Sequence, residues 1–252
     1  MATLLAVNDY VGISFFITSM ALLASAIFFY LERQNVDRKW QLSMTVMVLV
    51  AFIAFIHYLY MRDLWVNAQE SPITYRYIDW FITVPLQIVE FYLILNAAVK
   101  VEAALFWKLL VASLIMLIAG YIGEAELGDV VVSFVIGVIA WFYIIYQVFF
   151  GEASEHYAKI TNDSTQIAFN GLRWIVTVGW AIYPIGYVYG YSQPLPDINA
   201  LNIIYNFADF LNKIAFGMMI WYAASCDTIR RKRSTNYNRH GGRFSQSQGS
   251  ES

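Results

Sequence analysis

Seven long apolar runs, each close to the length that a bilayer demands of a helix, leave this chain little choice of fold. They are Tyr10 to Leu31, Trp40 to Met61, Ile73 to Ala98, Leu105 to Ile122, Val130 to Phe150, Gln166 to Tyr189 and Leu201 to Cys226. A hydrocarbon core of about 30 Å takes about 20 residues per helical crossing. Lipid offers no hydrogen-bond partner to a backbone, so only helices and closed barrels can span it. Barrel strands would alternate over about 10 residues, and these runs are continuous. With 59% hydrophobic and 13% charged residues, a water-soluble globule could not cover its apolar surface. The reading is an all-α membrane protein, a seven-transmembrane helix bundle.

Lysine and arginine set the orientation, because they accumulate in cytoplasmic loops. With the N-terminus outside, the inner side holds Arg33, Arg38, Lys39, Lys100, Lys108, Lys159, Arg230, Arg231, Lys232, Arg233, Arg239 and Arg243, and the outer side holds Arg62. The outer loops carry Asp63, Glu70, Glu124, Glu126 and Asp197. The rule therefore predicts the N-terminus outside and the C-terminus in the cytoplasm. Residues 1–226 form the transmembrane domain in this reading. Residues 227–252, basic and polar with almost no aliphatic side chains, are expected to be a disordered cytoplasmic tail. The cluster Arg230 to Arg233 reads as a topology signal. The first run reads as a true span, since a basic leader and a small-residue cleavage site are both missing. The stretch 151–165 reads as a solvated connector. A formal net charge of -2 gives no case for a nucleic-acid partner. Cys226 has no second cysteine to pair with, and no metal site is expected.

An amine needs a reason to lie in the middle of the last run. Lys213 follows Asp209 by one turn, so the two share a helix face. A charge at membrane depth costs from a few to about 15 kcal/mol, which makes an intramembrane lysine a functional hypothesis. Such an amine can attack an aldehyde, giving a Schiff base whose proton neighbouring carboxylates hold. The third run holds the matching polar chemistry. Arg76, Asp79, Thr83, Gln87 and Glu90 are separated by offsets of 3, 7, 11 and 14 residues from Arg76 and fall on one helical stripe. Asp79 and Glu90 stand about 16 Å apart along the axis, bracketing the membrane centre. Each residue also has a structural reading. Arg76 and Asp79 could form an i, i+3 ion pair, Glu90 could be a neutral buried carboxyl, and the aromatic side chains could be plain core.

The motifs Arg-Tyr-Ile-Asp-Trp at 76–80, Thr-Val-Pro-Leu at 83–86, Glu-Phe-Tyr-Leu-Ile-Leu at 90–95, Trp-Ala-Ile-Tyr-Pro at 180–184 and Ala-Asp-Phe-Leu-Asn-Lys at 208–213 resemble those of microbial rhodopsins, and more narrowly proteorhodopsins. The resemblance covers nearly the whole chain. It implies all-trans retinal joined to Lys213 as a protonated Schiff base, with Asp79 as counterion and proton acceptor, Asp209 as second counterion and Arg76 in the same complex. It further implies Glu90 as proton donor, with Thr83 completing the Asp, Thr, Glu triplet of outward proton pumps. The chloride-pump and sodium-pump spellings of these positions are both missing. His57 matches a histidine that pairs with the counterion, here through an expected hydrogen bond to Asp79. Tyr77, Trp80, Trp180, Tyr183 and Pro184 match retinal-pocket positions, and Tyr183 is placed to bond Asp209. Gln87 matches the spelling associated with blue absorption.

The function so implied is a light-driven outward proton pump, a transporter rather than an enzyme. A sensory photoreceptor acting through a partner is the alternative. The resemblance also implies a multi-pass protein of the cell membrane and a ring-like homo-oligomer, with five subunits as one candidate number. Phe134, where antenna-bearing relatives keep glycine, argues against a carotenoid antenna. Pro85 and Pro184 lie mid-span and are expected to kink their helices.

Overall fold

In the computed structural model, which describes residues 5–191 and 197–247 with side chains as far as 234, the apolar runs become helices. These are α1 (Tyr10–Glu32), α2 (Gln41–Ala68), α3 (Ile73–Ala98), α4 (Ala103–Glu124), α5 (Val130–Phe149), a short α6 (Glu152–Tyr157), α7 (Asp163–Trp174), α8 (Ile182–Tyr191) and α9 (Ile198–Ser247). Among the described residues, α1 to α5 are each long and apolar enough to cross a bilayer unbroken. The sixth crossing is α7 and α8 joined by a π-helical segment, Ile175–Gly179. The seventh is the membrane part of α9, whose apolar character is diluted by Asn202, Asn206, Asp209, Asn212 and Lys213. Seven rods result. Chain neighbours pack side by side, and α9 returns against α1 and α2 to close the bundle.

The bundle inverts the usual arrangement of polarity. Ile17, Val131, Ile139 and Ile185 are all more than half exposed, on the surface that lipid would cover. The interior holds Arg76, Asp79, Thr83, Gln87 and Glu90, each at most 2% exposed, so the third-run seam faces inward as its spacing predicts. The rods differ in how much of them the bundle covers. In the most apolar stretch of each helix, 56% of α3 residues are buried and 22% of the stretch that includes α5.

Helix ends follow local chemistry. Asp9 caps α1 by accepting from the Gly12 amide at 2.8 Å, and the same carboxylate accepts from the Trp65 indole at 3.0 Å. Asp129 caps α5 and Asn162 caps α7 in the same way. Gln69, with φ of 57°, ends α2 in the left-handed conformation. Two boundaries differ from the sequence reading. The stretch 151–165 is more than a solvated connector, because it contains α6 and buries Ala153 and Ile160. Glu124 belongs to the last turn of α4 and is 4% exposed, because α4 runs two residues past Ile122. The prolines also act unequally. Pro85 lies within a continuous α3. Pro184 cannot donate to the Trp180 carbonyl one turn back, and the sixth rod is interrupted by the π segment and a turn just before it.

At the end expected to face the cytoplasm, α9 is tied to two other segments. Asp227, 6% exposed, accepts from Lys39 at 2.6 Å, the Trp40 indole at 2.9 Å and Asn162 at 2.6 Å. Burial alone would push its carboxyl upward, but these three donors outweigh that and hold it below the ordinary aspartate range. A depressed folded pKa gives stability that is present above the unfolded value and is lost as pH falls through the folded one. Asp227→Ala should therefore lower stability near neutral pH by about 1–3 kcal/mol, read as earlier loss of helical circular dichroism on heating. The deficit against wild type should close below the ordinary aspartate pKa. Beyond Asp227 the helix continues to Ser247, where composition predicts an unstructured tail. Each turn added to an existing helix needs no new nucleus, although Gly241 and Gly242 are poor helix formers.

Candidate functional site

Lys213 is 4% exposed and lies between two carboxylates. Its Nζ donates to Asp79 Oδ2 across the bundle and to Asp209 Oδ2 on its own helix, the latter at 3.0 Å. The two acids differ in their other partners. Asp209 also accepts from Tyr58 at 2.9 Å, the Trp80 indole at 3.1 Å and Tyr183 at 2.7 Å. Four donors approach the roughly four acceptor sites of a carboxylate. The Asp79 carboxylate has Lys213, and its Oδ1 has no hydrogen-bond partner among the described residues. Thr83, one turn on, donates to the Asp79 backbone carbonyl at 3.0 Å and not to its carboxylate.

Arg76 does not pair with Asp79. Its guanidinium donates to Asn202 and Asn206, both at 3.0 Å, and contacts Tyr58 at 3.5 Å, so it reaches Asp209 through the phenol. The rings of Phe15 and Tyr205 lie 5.6 and 5.3 Å from it, at cation–π distance. Neutral amides thus hold the second buried cation. Both asparagines escaped the sequence reading, although their spacing places them on the Asp209 and Lys213 face of α9.

The expected hydrogen bond from His57 to Asp79 does not form. His57 Nδ1 lies 2.9 Å from the Ile53 carbonyl one turn back. A carbonyl can only accept, so Nδ1 is the donor there and leaves 3.8 Å to Asp79 Oδ1. Contact with the acid is electrostatic. Further along α3, Gln87 Nε2 and both Glu90 oxygens lack hydrogen-bond partners among the described residues. Ser43 of α2 approaches Glu90 without closing a bond. Three polar side chains therefore present unsatisfied atoms along one buried seam.

A cavity starts at Lys213 and runs between α3, α4, α5 and the sixth rod. Trp80, Trp180, Tyr77 and Tyr183 wall it, with Gln87 and Pro184 completing the expected set. Such walls suit a long flat apolar molecule, and the amine at one end suits an aldehyde terminus. Glu124, first read as an outer-loop acid, also lines this cavity. It accepts from Tyr77 at 3.1 Å and Tyr205 at 2.7 Å, and its other oxygen has no partner among the described residues. Phe134 lies 5.1 Å from Tyr187, ring to ring, at the α5 side.

Comparison with known proteins finds relatives along most of the chain. Residues 9–226 match the family described as bacteriorhodopsin-like protein. The chain is 48% identical over 220 residues to the blue-light absorbing proteorhodopsin of Gamma-proteobacterium Hot 75m4, covering 86% of this chain and 87% of the relative. It is 49% identical over 219 residues to the green-light absorbing proteorhodopsin of Gamma-proteobacterium EBAC31A08, with the same coverage. Among solved structures, the blue light-absorbing proteorhodopsin from Med12 superposes with a TM-score of 0.78 at 56% identity, over 87% of this chain and 100% of that one. Xanthorhodopsin, described as a light-driven ion pump with dual chromophore, matches with a TM-score of 0.77 at 26% identity, over 90% of this chain and 98% of that one. With an amine-ended aromatic cavity at its centre and relatives of this kind across most of its length, the chain belongs to the bacteriorhodopsin-like family of integral membrane proteins, among the proteorhodopsins.

Proposed function

We propose that the protein is a light-driven outward proton pump. The observation that carries this reading is the buried Lys213 amine held between Asp79 and Asp209 at the end of an aromatic-walled cavity. Retinal is the chromophore of this family, and bound at Lys213 it supplies light absorption and a change of shape.

The protein's own groups then divide the work. Trp80, Trp180 and Tyr183 hold the apolar ligand in place, and burial excludes bulk water from the Lys213 nitrogen. Asp209 is engaged by Tyr58, Trp80 and Tyr183, which leaves it poorly placed to take a proton without breaking those bonds. Asp79 has one oxygen free, so it accepts the proton that Lys213 holds. His57, at 3.8 Å from Asp79, is near enough to influence that acceptance. Glu90, carrying a proton in the dark, returns one to the Lys213 nitrogen from the opposite side and is refilled from the cytoplasm. Net movement is outward if the N-terminus faces outside, as the distribution of lysine and arginine supports.

Glu90→Gln is expected to keep the pigment's colour and to slow its recovery after a flash by about 100-fold, within the range for loss of a positioned proton donor. Recovery at the wild-type rate at neutral pH would remove Glu90 from the cycle.

Blue absorption is the colour favoured, through Gln87, whose amide lines the cavity. Near-equal identity to a blue and a green relative does not decide it. The reading extends to a cell-membrane location, a ring-like homo-oligomer and no carotenoid antenna at Phe134. The test is the external pH of unbuffered cells expressing the chain with all-trans retinal under blue light. Acidification abolished by a protonophore supports the pump. A coloured protein that moves no protons would instead favour a sensor acting through a partner.

A further inference from the structure

The π segment of the sixth rod is held by side chains from two different helices. Within it the Trp180 amide bonds the Ile175 carbonyl five residues back at 3.0 Å. The wider turn leaves carbonyls without the usual helical partner. The Val176 carbonyl accepts from the Trp141 indole of α5 at 2.9 Å, and the Gly179 carbonyl accepts from Asn212 Nδ2 of α9 at 2.9 Å. Asn212 is 2% exposed and immediately precedes Lys213. Its fit is close, since a Cβ added at Gly179 would lie 1.9 Å from Asn212 Oδ1. Gly179 in turn immediately precedes Trp180, which lines the cavity. The residue beside the amine is thereby bonded to the residue beside a cavity wall.

A π turn can exchange five-residue for four-residue hydrogen bonds with little loss of helix, so it can absorb a shift of register at low cost. Of its two external holds, the one from α5 is not attached to Lys213 and the one from α9 is. We infer that Asn212 is a positioning residue through which a displacement at Lys213 is passed to the π segment and so to Trp180. This rests on the light-driven reading above. Asn212 bonds neither Asp79 nor Glu90, and its one contact with the site around the amine is with Tyr183, a partner of Asp209.

The chain contains a single Gly-Trp pair, at 179–180. Protein made with carbonyl-13C glycine and 15N tryptophan therefore reports that one peptide group in solid-state NMR. In the retinal-loaded wild type, the Gly179 carbonyl signal should differ between the dark state and a state trapped under illumination. In Asn212→Ala the difference should vanish and recovery after a flash should slow by about 10-fold, while the dark pigment keeps its yield. Trp141→Phe, which removes the other hold, should retain a light-dependent Gly179 signal, an outcome that a purely structural role for both holds would not give. A Gly179 signal indifferent to light in a wild type that pumps would overturn the inference and leave the pump standing. Asn212→Ala with normal recovery and a normal Gly179 difference would do the same. Should Asn212→Ala form no pigment, the wild-type measurement still decides. A wild type that takes up no retinal would instead overturn the light-driven reading itself.

Discussion

Replacing Lys213 with alanine is expected to give a folded protein with no visible absorption band when retinal is supplied. The effect is all-or-none, because among the described residues no other lysine lines the cavity. Arg76 is the other buried cation beside these carboxylates, and its guanidinium is engaged by Asn202 and Asn206. The substitution also strands two carboxylates. Breaking a buried ion pair by removing one partner typically costs about 3–5 kcal/mol, and Asp79 and Asp209 share the single amine. One of the two acids should therefore take up a proton in the variant, which limits the loss. Asp209 keeps Tyr58, Trp80 and Tyr183 as donors, so Asp79 is the acid expected to be neutral. The measurements are a visible spectrum of purified protein beside helical circular dichroism. A retained visible band in a folded variant would place the attachment elsewhere.

Asp79→Asn should stop outward pumping and shift absorption to longer wavelength. Asparagine keeps the shape of aspartate but removes its charge and its capacity to take a proton at neutral pH. A negative charge beside the Lys213 nitrogen stabilises positive charge located there, which is the ground-state distribution of a cationic polyene. Absorption moves that charge away from the nitrogen, so losing the carboxylate narrows the gap between the states. The pigment should still form, because Asp209 remains at 3.0 Å from Lys213. Light-driven acidification by vesicles and the absorption maximum test the two halves separately. A variant that pumps at wild-type yield would pass the acceptor role to Asp209. An unchanged maximum would mean that the amine is not governed by Asp79 in the dark.

Much of this was legible in the chain. Ile73–Ala98 has the same limits as an apolar run and as a helix, because Pro72 before it and the extended backbone at Val99 after it stop the helix at both ends. The inward seam of α3 followed from spacing alone, as did the shared face of Asp209 and Lys213. What escaped depends on contacts between helices. Periodicity can place Asn202 and Asn206 on a helix face, but whether they meet a guanidinium depends on how α3 and α9 are rotated against each other. Glu124 was misplaced because a charged residue after an apolar run resembles the start of a loop. Tyr77 and Tyr205, which bond it, come from elsewhere in the sequence. The hydrogen bond of His57 to Ile53 is local, yet a lone histidine in an apolar run reveals neither its tautomer nor its rotamer.

The unequal burial of the rods bears on how such a chain can drift over generations. Where lipid is the neighbour, as along the outer face of α5, a residue need only be apolar, and Val, Ile, Leu and Phe are nearly interchangeable. Where side chains interlock, as along α3, shape and polarity are both prescribed. Divergence between this protein and its relatives should therefore collect on the outer face of α5 and thin out along α3. A library randomised among apolar residues at Val131, Val135 and Ile139 should yield mostly coloured clones, and one randomised at Ile88, Phe91 and Ile94 mostly colourless ones. Much of this protein's tolerance for change lies on the side it turns to the bilayer.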